Sequence, residues 1–385
     1  MFWNWAIISL VTAIVDGAPL QHVERTACAA PIQRKAWHTL TRDEKKSYID
    51  AEKCLMTLPA RLDLADARTR FDEFQKIHVI HTRFIHGVGA FLPYHRYYVQ
   101  AHETALRTEC GYTGAQPYWN EALDAGNFSK SVLLDPETGF GGDGTGPNNC
   151  IVDGPFKDFQ NSIGPGEAIT DHCIDRQVND CSSRGAAQDN VDACMTRKTF
   201  QSAWNCLEGM PHSAGHGGIN GQMMNVFSSP GDPLFYLHHT YLDKLWWDWQ
   251  SQNLSARLTD ITGPNQGTFF FPGGGNGSFP IGGPNGTIPG GPNGTFPPFI
   301  PQPPGNGSDC NGFGGFPGGP GGPGGPGGFP GFPSPPQNGP WIEIDGDPAN
   351  ITTLGHVLNV EGSIPSVPIK DVMDIQGGTL CYEYI

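Results

Sequence analysis

The sequence has few charged residues and little basic charge. Aspartate, glutamate, lysine and arginine make up 16% of its 385 residues, against about 25% in an average soluble protein. The 23 basic and 38 acidic side chains give a formal net charge of −15, and lysine and arginine form no cluster. Nucleic acids and anionic membrane surfaces are bound through such clusters. We therefore expect neither as a partner.

Long apolar runs are also missing, apart from one near the N-terminus. Trp5 to Val15 is too short to span a bilayer, and the small residues Gly17 and Ala18 follow it. This predicts a secretory signal peptide over residues 1–18, although no lysine or arginine precedes the run. A buried N-terminal helix is the alternative.

Asparagine sequons and cysteines agree with a secreted, extracellular glycoprotein. The seven Asn-X-Ser/Thr sequons are Asn127, Asn253, Asn276, Asn285, Asn293, Asn306 and Asn350. The ten cysteines include no Cys-x-x-Cys pair. An even number in a secreted chain predicts up to five structural disulfides, whose pairing the sequence does not give.

Lysine, arginine and histidine are absent from residues 263–340. Glycine and proline fill 47 of these 78 positions, and Asp309 is the single charged residue. Such a segment cannot bury enough surface to offset its chain entropy, so we predict a disordered, glycosylated insertion. It separates a main domain at residues 19–262 from a C-terminal segment at residues 341–385, which we expect to pack back on that domain.

The main domain is predicted to be mainly α, a helical bundle with a loop-rich periphery. The predicted helix starts are a capping box at Thr41 and Glu44, Pro93 as a first helical residue, and Asp232 and Pro233 as N-cap and first residue. Residues 71–86 have helical periodicity, and strand signals are weak.

Histidines are the residues that indicate chemistry. Nine of the 13 fall in two groups: His78, His81, His86, His95 and His102, then His212, His216, His238 and His239. Imidazole is the commonest metal ligand in proteins and suits copper and zinc. Two such groups within apolar helices favour a metal centre over isolated surface histidines.

The second group predicts a pocket of three imidazoles. His212 and His216 are four residues apart between Pro211 and Gly217-Gly218, so a short helix places both rings on one face. His239 on the next helix supplies the third ring. Asp243, one turn later, is predicted to accept a proton from the His239 ring.

The first group repeats this arrangement. His78 lies on one helix, His86 at its end, and His95 in the first turn of the next. Glu103 shares the face of His95, and a buried carboxylate needs a partner, for which a metal-bound histidine is suited.

The two triads contain no carboxylate, which distinguishes among metals. Helical di-iron and di-manganese sites use bridging glutamates. A single catalytic zinc would bind one triad and leave the other without a metal. A pair of copper ions fits best.

Three motifs resemble the tyrosinase family. The spacing of His78, His86 and His95, within HGVGAFLPYHRYY, resembles its copper-A signature, and DPLFYLHHTYLD resembles its copper-B signature, which assigns His239 rather than His238. CLEGMPHSAGHGG supplies the other two copper-B histidines. The resemblance runs from Cys28 to Leu258 and resumes at Tyr382-Glu-Tyr384, which resembles the family's closing Tyr-x-Tyr motif.

The resemblance implies a helical bundle holding a binuclear type-3 copper centre. It implies copper A on His78, His86 and His95, and copper B on His212, His216 and His239. The implied activity uses O2 to oxidise small phenols or catechols to o-quinones in a hydrophobic cleft.

Departures from the family pattern bear on the substrate. Phe84 replaces a cysteine that many members cross-link to the second copper-A histidine. Ser213 stands where efficient tyrosinases often carry an asparagine that, with a glutamate, orients a water to deprotonate monophenols; Glu208 is the candidate glutamate here. We therefore expect o-diphenol oxidation to exceed monophenol hydroxylation. Gly217 and Met223 are expected at the substrate entrance.

Several alternatives stay open from the sequence. His81 competes with His78 as a ligand, while His102 and His238 are interpreted as supporting or packing residues. A haemocyanin-like oxygen carrier would use the same copper pair. A matrix or cross-linking protein would use the Gly/Pro segment as its main functional part. The sequence does not predict the oligomeric state.

Overall fold

The structure is a computed structural model that describes residues 28–267 and 344–385. The predicted signal peptide, most of the Gly/Pro segment and four of the sequons lie outside these residues.

Helices dominate the described part of the chain, which confirms the predicted fold class. They are α1 (Arg42–Leu55), α2 (Arg70–Ile85), α3 (Phe91–Glu109), α4 (Asp180–Ser183), α5 (Gln188–Met195), α6 (Phe200–Leu207), α7 (Ser213–Ile219), α8 (Leu234–Ser251) and α9 (Leu254–Arg257). A π-helical turn, Glu208–His212, joins α6 to α7. No described helix is both long and apolar enough to cross a bilayer.

Helix α3 lies at the centre of the bundle. It packs against α8, α1 and α2, and its contact face contains buried aromatic side chains such as Tyr98. Phe235 and Trp246 of α8 are buried as well. This apolar burial is the main term that holds the helices together.

The helix starts are set by local hydrogen bonds. The predicted capping box of Thr41 and Glu44 opens α1, and a second box opens α2. Two predicted starts were shifted. Helix α3 begins at Phe91, so Pro93 is its third residue, and α8 begins one residue after Pro233. A proline in the first turn of a helix removes no intrahelical hydrogen bond. The sequence therefore does not show which residue of the first turn the proline is.

Strands are short and pair two by two. The antiparallel pairs are β2 (Gly144–Thr145) with β3 (Cys150–Ile151), β4 (Gln160–Asn161) with β5 (His172–Cys173), and β6 (Val357–Leu358) with β7 (Val367–Pro368). The parallel pair is β1 (Ile32–Arg34) with β8 (Tyr382–Tyr384). The last pair joins the two ends of the described chain.

The C-terminal segment lies against the helices. Besides the β1–β8 ladder, it is tied to the N-terminal side by the disulfide Cys28–Cys381. Three more disulfides join Cys54 to Cys110, Cys150 to Cys173 and Cys194 to Cys206, and Cys181 is disulfide-bonded too. No described cysteine is free, in agreement with the structural role predicted for them.

The first residues predicted to belong to the disordered segment, 263–267, are part of the described structure. The Thr352 N–H donates to Gly263 O at 2.8 Å, and the Gly89 N–H donates to Pro264 O at 2.8 Å. Asn265 is fully buried and donates to Asp347 Oδ2 at 2.9 Å. Residues 263–267 therefore belong to the folded domain, because their backbone and side chains have partners in it.

Candidate metal centre

The structure brings seven histidines together in two pockets. The first pocket contains His78, His86 and His95, and the second pocket contains His212, His216, His238 and His239. Within each pocket, one nitrogen of every ring lies within 4.8 Å of those of the others. The six histidines selected by spacing are all included, and His238 is added.

His86 reaches the first pocket because α2 stops just before it. His86 has an extended backbone, with φ −127° and ψ 140°. Gly87 follows with φ +64°, a conformation that favours glycine over other residues. The chain thus turns sharply and directs the His86 ring back towards His78 on α2, with ring centres 5.1 Å apart.

The second pocket depends on the π-helical turn. Pro211 lies inside it and has no N–H to donate, so the helix widens there instead of continuing regularly from α6. His212 ends the turn and His216 lies on α7, with ring centres 4.6 Å apart. The helix end predicted at Gly217-Gly218 is one residue too early, because α7 continues to Ile219 and ends where Asn220 takes φ 60°.

Five of the rings are fixed at Nδ1 by backbone carbonyls. Because a carbonyl only accepts, Nδ1 donates in each pair: His78 to Phe227 at 2.7 Å, His86 to Thr82 at 3.0 Å, His95 to Phe91 at 2.8 Å, His212 to Glu208 at 3.2 Å and His216 to Met223 at 2.5 Å. This leaves each Nε2 with a lone pair. It is the arrangement that metal-bound histidines usually show.

The Nε2 atoms of His78, His95 and His212 are buried and have no hydrogen-bond partner among the described residues. A buried polar atom without a partner costs about 1–3 kcal/mol. Two pockets with several such atoms therefore fit bound metal ions, which would use these lone pairs.

Burial lowers the pKa of every ring in the two pockets. The pKa of His86 falls to about 4 and that of His238 to about 3, in both cases because burial disfavours the charged form. For His78, His95, His212, His216 and His239, neighbouring imidazoles lower the pKa further. The rings are therefore neutral at pH 7, which is the form that binds metals.

The two pockets face each other across a short gap. The His95 and His239 rings are stacked, with centres 4.2 Å apart and an angle of 12° between their planes. The His86 and His212 ring centres are 6.3 Å apart. Ions held in the two pockets would therefore be neighbours.

Two phenylalanines pack beside both pockets. The Phe91 ring centre is 4.7 Å from that of His95 and 4.8 Å from that of His212. The Phe235 ring centre is 4.2 Å from that of His239 and 5.2 Å from that of His78. The contact of both phenylalanines with the two pockets was not predicted from the sequence. The available signal was that each phenylalanine precedes a pocket histidine by four residues, one helical turn.

The centre is accessible from one side. His78, His95 and His239 are at most 2% exposed, whereas His212 and His216 on the α7 side are partly exposed. A substrate would therefore approach past α7.

Glu103 does not support a histidine as predicted. Its Oε2 accepts from the Arg34 Nε at 3.2 Å, and its Oε1 accepts from the Gln116 N–H at 2.8 Å. The prediction was wrong because helical spacing indicates only partners on the same helix, whereas Arg34 comes from β1.

Asp243 does not accept from His239 either. Its carboxylate accepts from Arg96 and from the hydroxyls of Tyr382 and Tyr384, and Arg34 lies 3.4 Å away. Two arginines outcompete a neutral imidazole for a buried carboxylate. Asp243 therefore joins α8 to β1, α3 and the C-terminal segment.

Ser213 and Glu208 do not form the predicted pair of side chains. The Ser213 hydroxyl donates to the backbone carbonyl of Glu208 at 3.1 Å. The Glu208 carboxylate accepts from the Gly87 N–H at 2.7 Å and from the Trp204 indole N–H. Burial raises the pKa of Glu208 to about 7.

The buried side chain of Met223 does not reach the expected substrate entrance, whereas that role for Gly217, partly exposed on α7, stays a prediction. A Cβ on Gly217 would face Ser182 at 3.6 Å, in ordinary contact. The Met223 side chain is fully buried, and its contribution to the pocket is the carbonyl that fixes His216.

The remaining histidines of the first group lie outside the pockets. His81 Nε2 is 2.8 Å from Glu361 in the C-terminal segment. His102 is buried between Glu52 and Gln116 and stacks on Tyr236 with ring centres 3.6 Å apart. Both rings are hydrogen-bonded to side chains outside the two pockets.

Comparison with known proteins shows which family this chain resembles in sequence. Residues 68–252, which contain both pockets, match the sequence model of the common central domain of tyrosinase. Tyrosinase-like protein phomQ1' of Diaporthe leptostromiformis is 34% identical over 263 residues, covering 62% of this chain and 68% of that protein. Tyrosinase ustQ of Aspergillus flavus is 32% identical over 275 residues, covering 67% and 76%.

This chain belongs to the tyrosinase family. A polyphenol oxidase from Thermothelomyces thermophila has the same fold, with a TM-score of 0.64 at 24% identity over 92% of this chain and 89% of that one. The cofactor of a tyrosinase-family chain with these histidines is a binuclear type-3 copper centre. The neutral, buried, all-imidazole donor set of the two pockets fits copper, which nitrogen ligands hold in both of its oxidation states.

Proposed function

We propose that this tyrosinase-family oxidase is secreted and uses O2 to convert o-diphenols to o-quinones, with monophenol hydroxylation as a weaker activity. In the balanced reaction, two o-diphenols and one O2 give two o-quinones and two waters. The proteins similar to this chain include tyrosinases and a polyphenol oxidase, which supports phenols as the substrate class.

The copper pair supplies O2 binding and two-electron oxidation when both pockets are filled. The chain's own contribution begins with neutral imidazoles whose Nδ1 protons are committed to carbonyls, so that Nε2 faces the ions. Phe91 and Phe235 exclude water from the space beside the rings. Glu208, with its pKa near neutral, is suited to take up a substrate hydroxyl proton and release it again.

The observation that favours o-diphenols is the bonding of Ser213. Its hydroxyl is used by the Glu208 backbone, and the Glu208 carboxylate is held by Gly87 and Trp204. A water that deprotonates a monophenol would need a second fixed partner beside this carboxylate. An o-diphenol is more easily oxidised and depends less on such a base.

The decisive assay compares a monophenol and a catechol on the copper-loaded protein, side by side. Ser213→Asn is expected to raise the ratio of monophenol to diphenol turnover by at least about threefold, since an amide side chain offers a second partner for the water. Ser213→Ala is the matched control and should leave the ratio unchanged. An unchanged ratio in Ser213→Asn would contradict the role given to this position.

The same assay separates an oxidase from an oxygen carrier. Catechol-dependent O2 consumption with quinone formation is the expected result. Reversible O2 binding without quinone would contradict the proposal and would indicate a carrier.

Secretion is supported by exposed sequons and by disulfides. Asn127, Asn253 and Asn350 are all exposed, as glycosylation requires. Expression in a secreting host with a test for cleavage near Ala18 and for glycosidase-sensitive mass checks the proposal.

A further inference from the structure

One short loop contacts a histidine of each pocket. The loop consists of residues 223–227 and lies between α7 and α8. The Met223 carbonyl accepts from Nδ1 of His216 in the second pocket, at 2.5 Å. The Phe227 carbonyl accepts from Nδ1 of His78 in the first pocket, at 2.7 Å. The orientation of one ring in each pocket therefore depends on the shape of the same loop.

Asn225 holds the 223–227 loop from its centre. Its side-chain Oδ1 accepts from the backbone N–H groups of Phe227 and Ser228, both at 3.1 Å. Its backbone N–H donates to Gln222 O at 3.2 Å, and its carbonyl accepts from the Ser229 N–H at 2.9 Å. Asparagine forms such turns because its short side chain reaches the backbone two residues further on. The side-chain oxygen of Asn225 therefore fixes the direction in which the loop continues to the Phe227 carbonyl.

The end of the loop is also attached to α2. The Gln75 side chain donates to Ser228 O at 3.0 Å and to Ile163 O at 2.7 Å, and the Gln222 side chain donates to Ser228 O as well. Gln75, Gln222 and Ser228 are all buried. Moving this end of the loop would leave buried polar groups without partners, which is costly. We therefore expect the loop to change position as one unit.

A loop that moves as one unit connects the two pockets. When Nε2 of a histidine binds a metal ion, the ring orientation is fixed, and so is the carbonyl that accepts from its Nδ1. In a stiff loop, fixing the carbonyl that holds His78 also places the carbonyl that holds His216. Such coupling is reciprocal, because each site must affect the other by the same factor.

We propose that Asn225 is a positioning residue that couples the two pockets, so that an ion in one pocket strengthens copper binding in the other. Asn225 acts through the carbonyls of the 223–227 loop, which orient His216 and His78. The inference rests on the copper centre and not on the o-diphenol substrate proposed above. Failure of catechol oxidation would therefore leave it standing, because its test counts bound copper.

Native mass spectrometry measures the coupling. Full-length, metal-free protein receives one Cu(I) per chain in the absence of O2, and chains with zero, one and two ions are counted. Independent pockets of equal affinity give roughly half of the chains one ion, and unequal affinities only raise this share. Coupling of about tenfold lowers the share to roughly a quarter, which is the result expected for the wild type. In Asn225→Ala the share should rise to half or more.

Two variants serve as controls. Asp135 makes the same turn outside both pockets, because its Oδ1 accepts from the N–H groups of Glu137 and Thr138. Asp135→Ala should therefore keep the wild-type share of chains with one ion. Asn225→Asp keeps an acceptor oxygen at the same place and should restore the wild-type share, which separates the hydrogen bonds from the mere size of the side chain.

The proposal is wrong if half or more of the wild-type chains carry one ion, or if Asn225→Ala has the wild-type share. A misfolded Asn225→Ala would be recognised by its circular dichroism. Asn225→Ser, whose hydroxyl makes the same turn more weakly, would then decide. A share above that of the wild type would support the coupling, and an unchanged share would contradict it.

Discussion

At the residue scale, the pocket histidines are held mainly by the backbone of their own helices. His86, His95 and His212 each donate to the carbonyl four residues earlier. His78 and His216 instead use carbonyls of the loop that precedes α8. Helix geometry therefore sets the orientation of three of these rings, and the loop before α8 sets the orientation of the other two.

The metal-free protein should lose stability as the pH falls from 7 towards 5. The unfolded histidines have pKa values near 6.5, while burial lowers those in the pockets, to about 4 for His86. Below pH 6.5 the unfolded chain therefore binds more protons than the folded chain, and the free energy of unfolding decreases until the folded pKa is passed.

Thermal unfolding of the metal-free chain at a series of pH values checks this prediction. Its Tm should fall steadily below pH 6.5, and the fall should be shallower in His86→Ala, which has one fewer buried imidazole. A Tm that stays constant down to about pH 4.5, where carboxylates begin to protonate, would contradict it.

At the scale of secondary-structure elements, Asp243 joins the two ends of the described part of the chain. It lies on α8 and contacts Arg34 of β1, Arg96 of α3 and both tyrosines of β8. The Arg34 guanidinium also stacks over the Tyr382 ring at 3.5 Å. This buried cluster fixes α3 and α8, the two helices that carry His95 and His239.

Asp243→Asn is expected to lower the free energy of unfolding by about 3 kcal/mol, because it removes the charge that two buried arginines share. Copper content should stay at two per chain, since no histidine is bonded to Asp243. Urea unfolding and metal analysis measure the two effects.

Asp248→Asn on the same helix is the control. Its ion pair with Lys244 is partly exposed, so its loss should cost less than about 1 kcal/mol. Loss of copper from Asp243→Asn without loss of stability would instead support the hydrogen bond between Asp243 and His239 that the sequence predicts.

At the scale of the whole molecule, the residues on the two sides of the Gly/Pro segment lie next to each other in the folded domain. Asn265 donates to Asp347 and to Ala349 O, and Thr352 bonds to Pro264 O. Hydrogen bonds thus connect the residues before the segment directly to the residues after it. The copper domain should therefore tolerate changes in the length of this segment.

Deleting residues 314–340, which keeps Cys310, tests this expectation. For the unstructured chain that the composition predicts, shortening a 76-residue connection by 27 residues changes the closure free energy by roughly 0.4 kcal/mol. Copper content and catechol turnover should be unchanged. Loss of either would show that the segment takes part in the copper domain, while loss of matrix attachment alone would give it a separate role.

Most of the features that could be predicted from the sequence depend on local patterns. Capping at Thr41, helical spacing and the two histidine groups are set by residues a few positions apart, so the helices and the pocket members follow from them. The partners of Glu103 and Asp243 could not be predicted in the same way. They come from β1 and β8, at the two ends of the described chain, and no short-range pattern brings those strands together.

The most direct test of the account is the number of copper ions per chain. Each of the two separate groups of histidines is expected to hold one ion. Metal analysis of the fully loaded protein should give two copper ions for the wild type, two for His81→Ala and one for His86→Ala. One ion in the wild type, or two in His86→Ala, would contradict the claim.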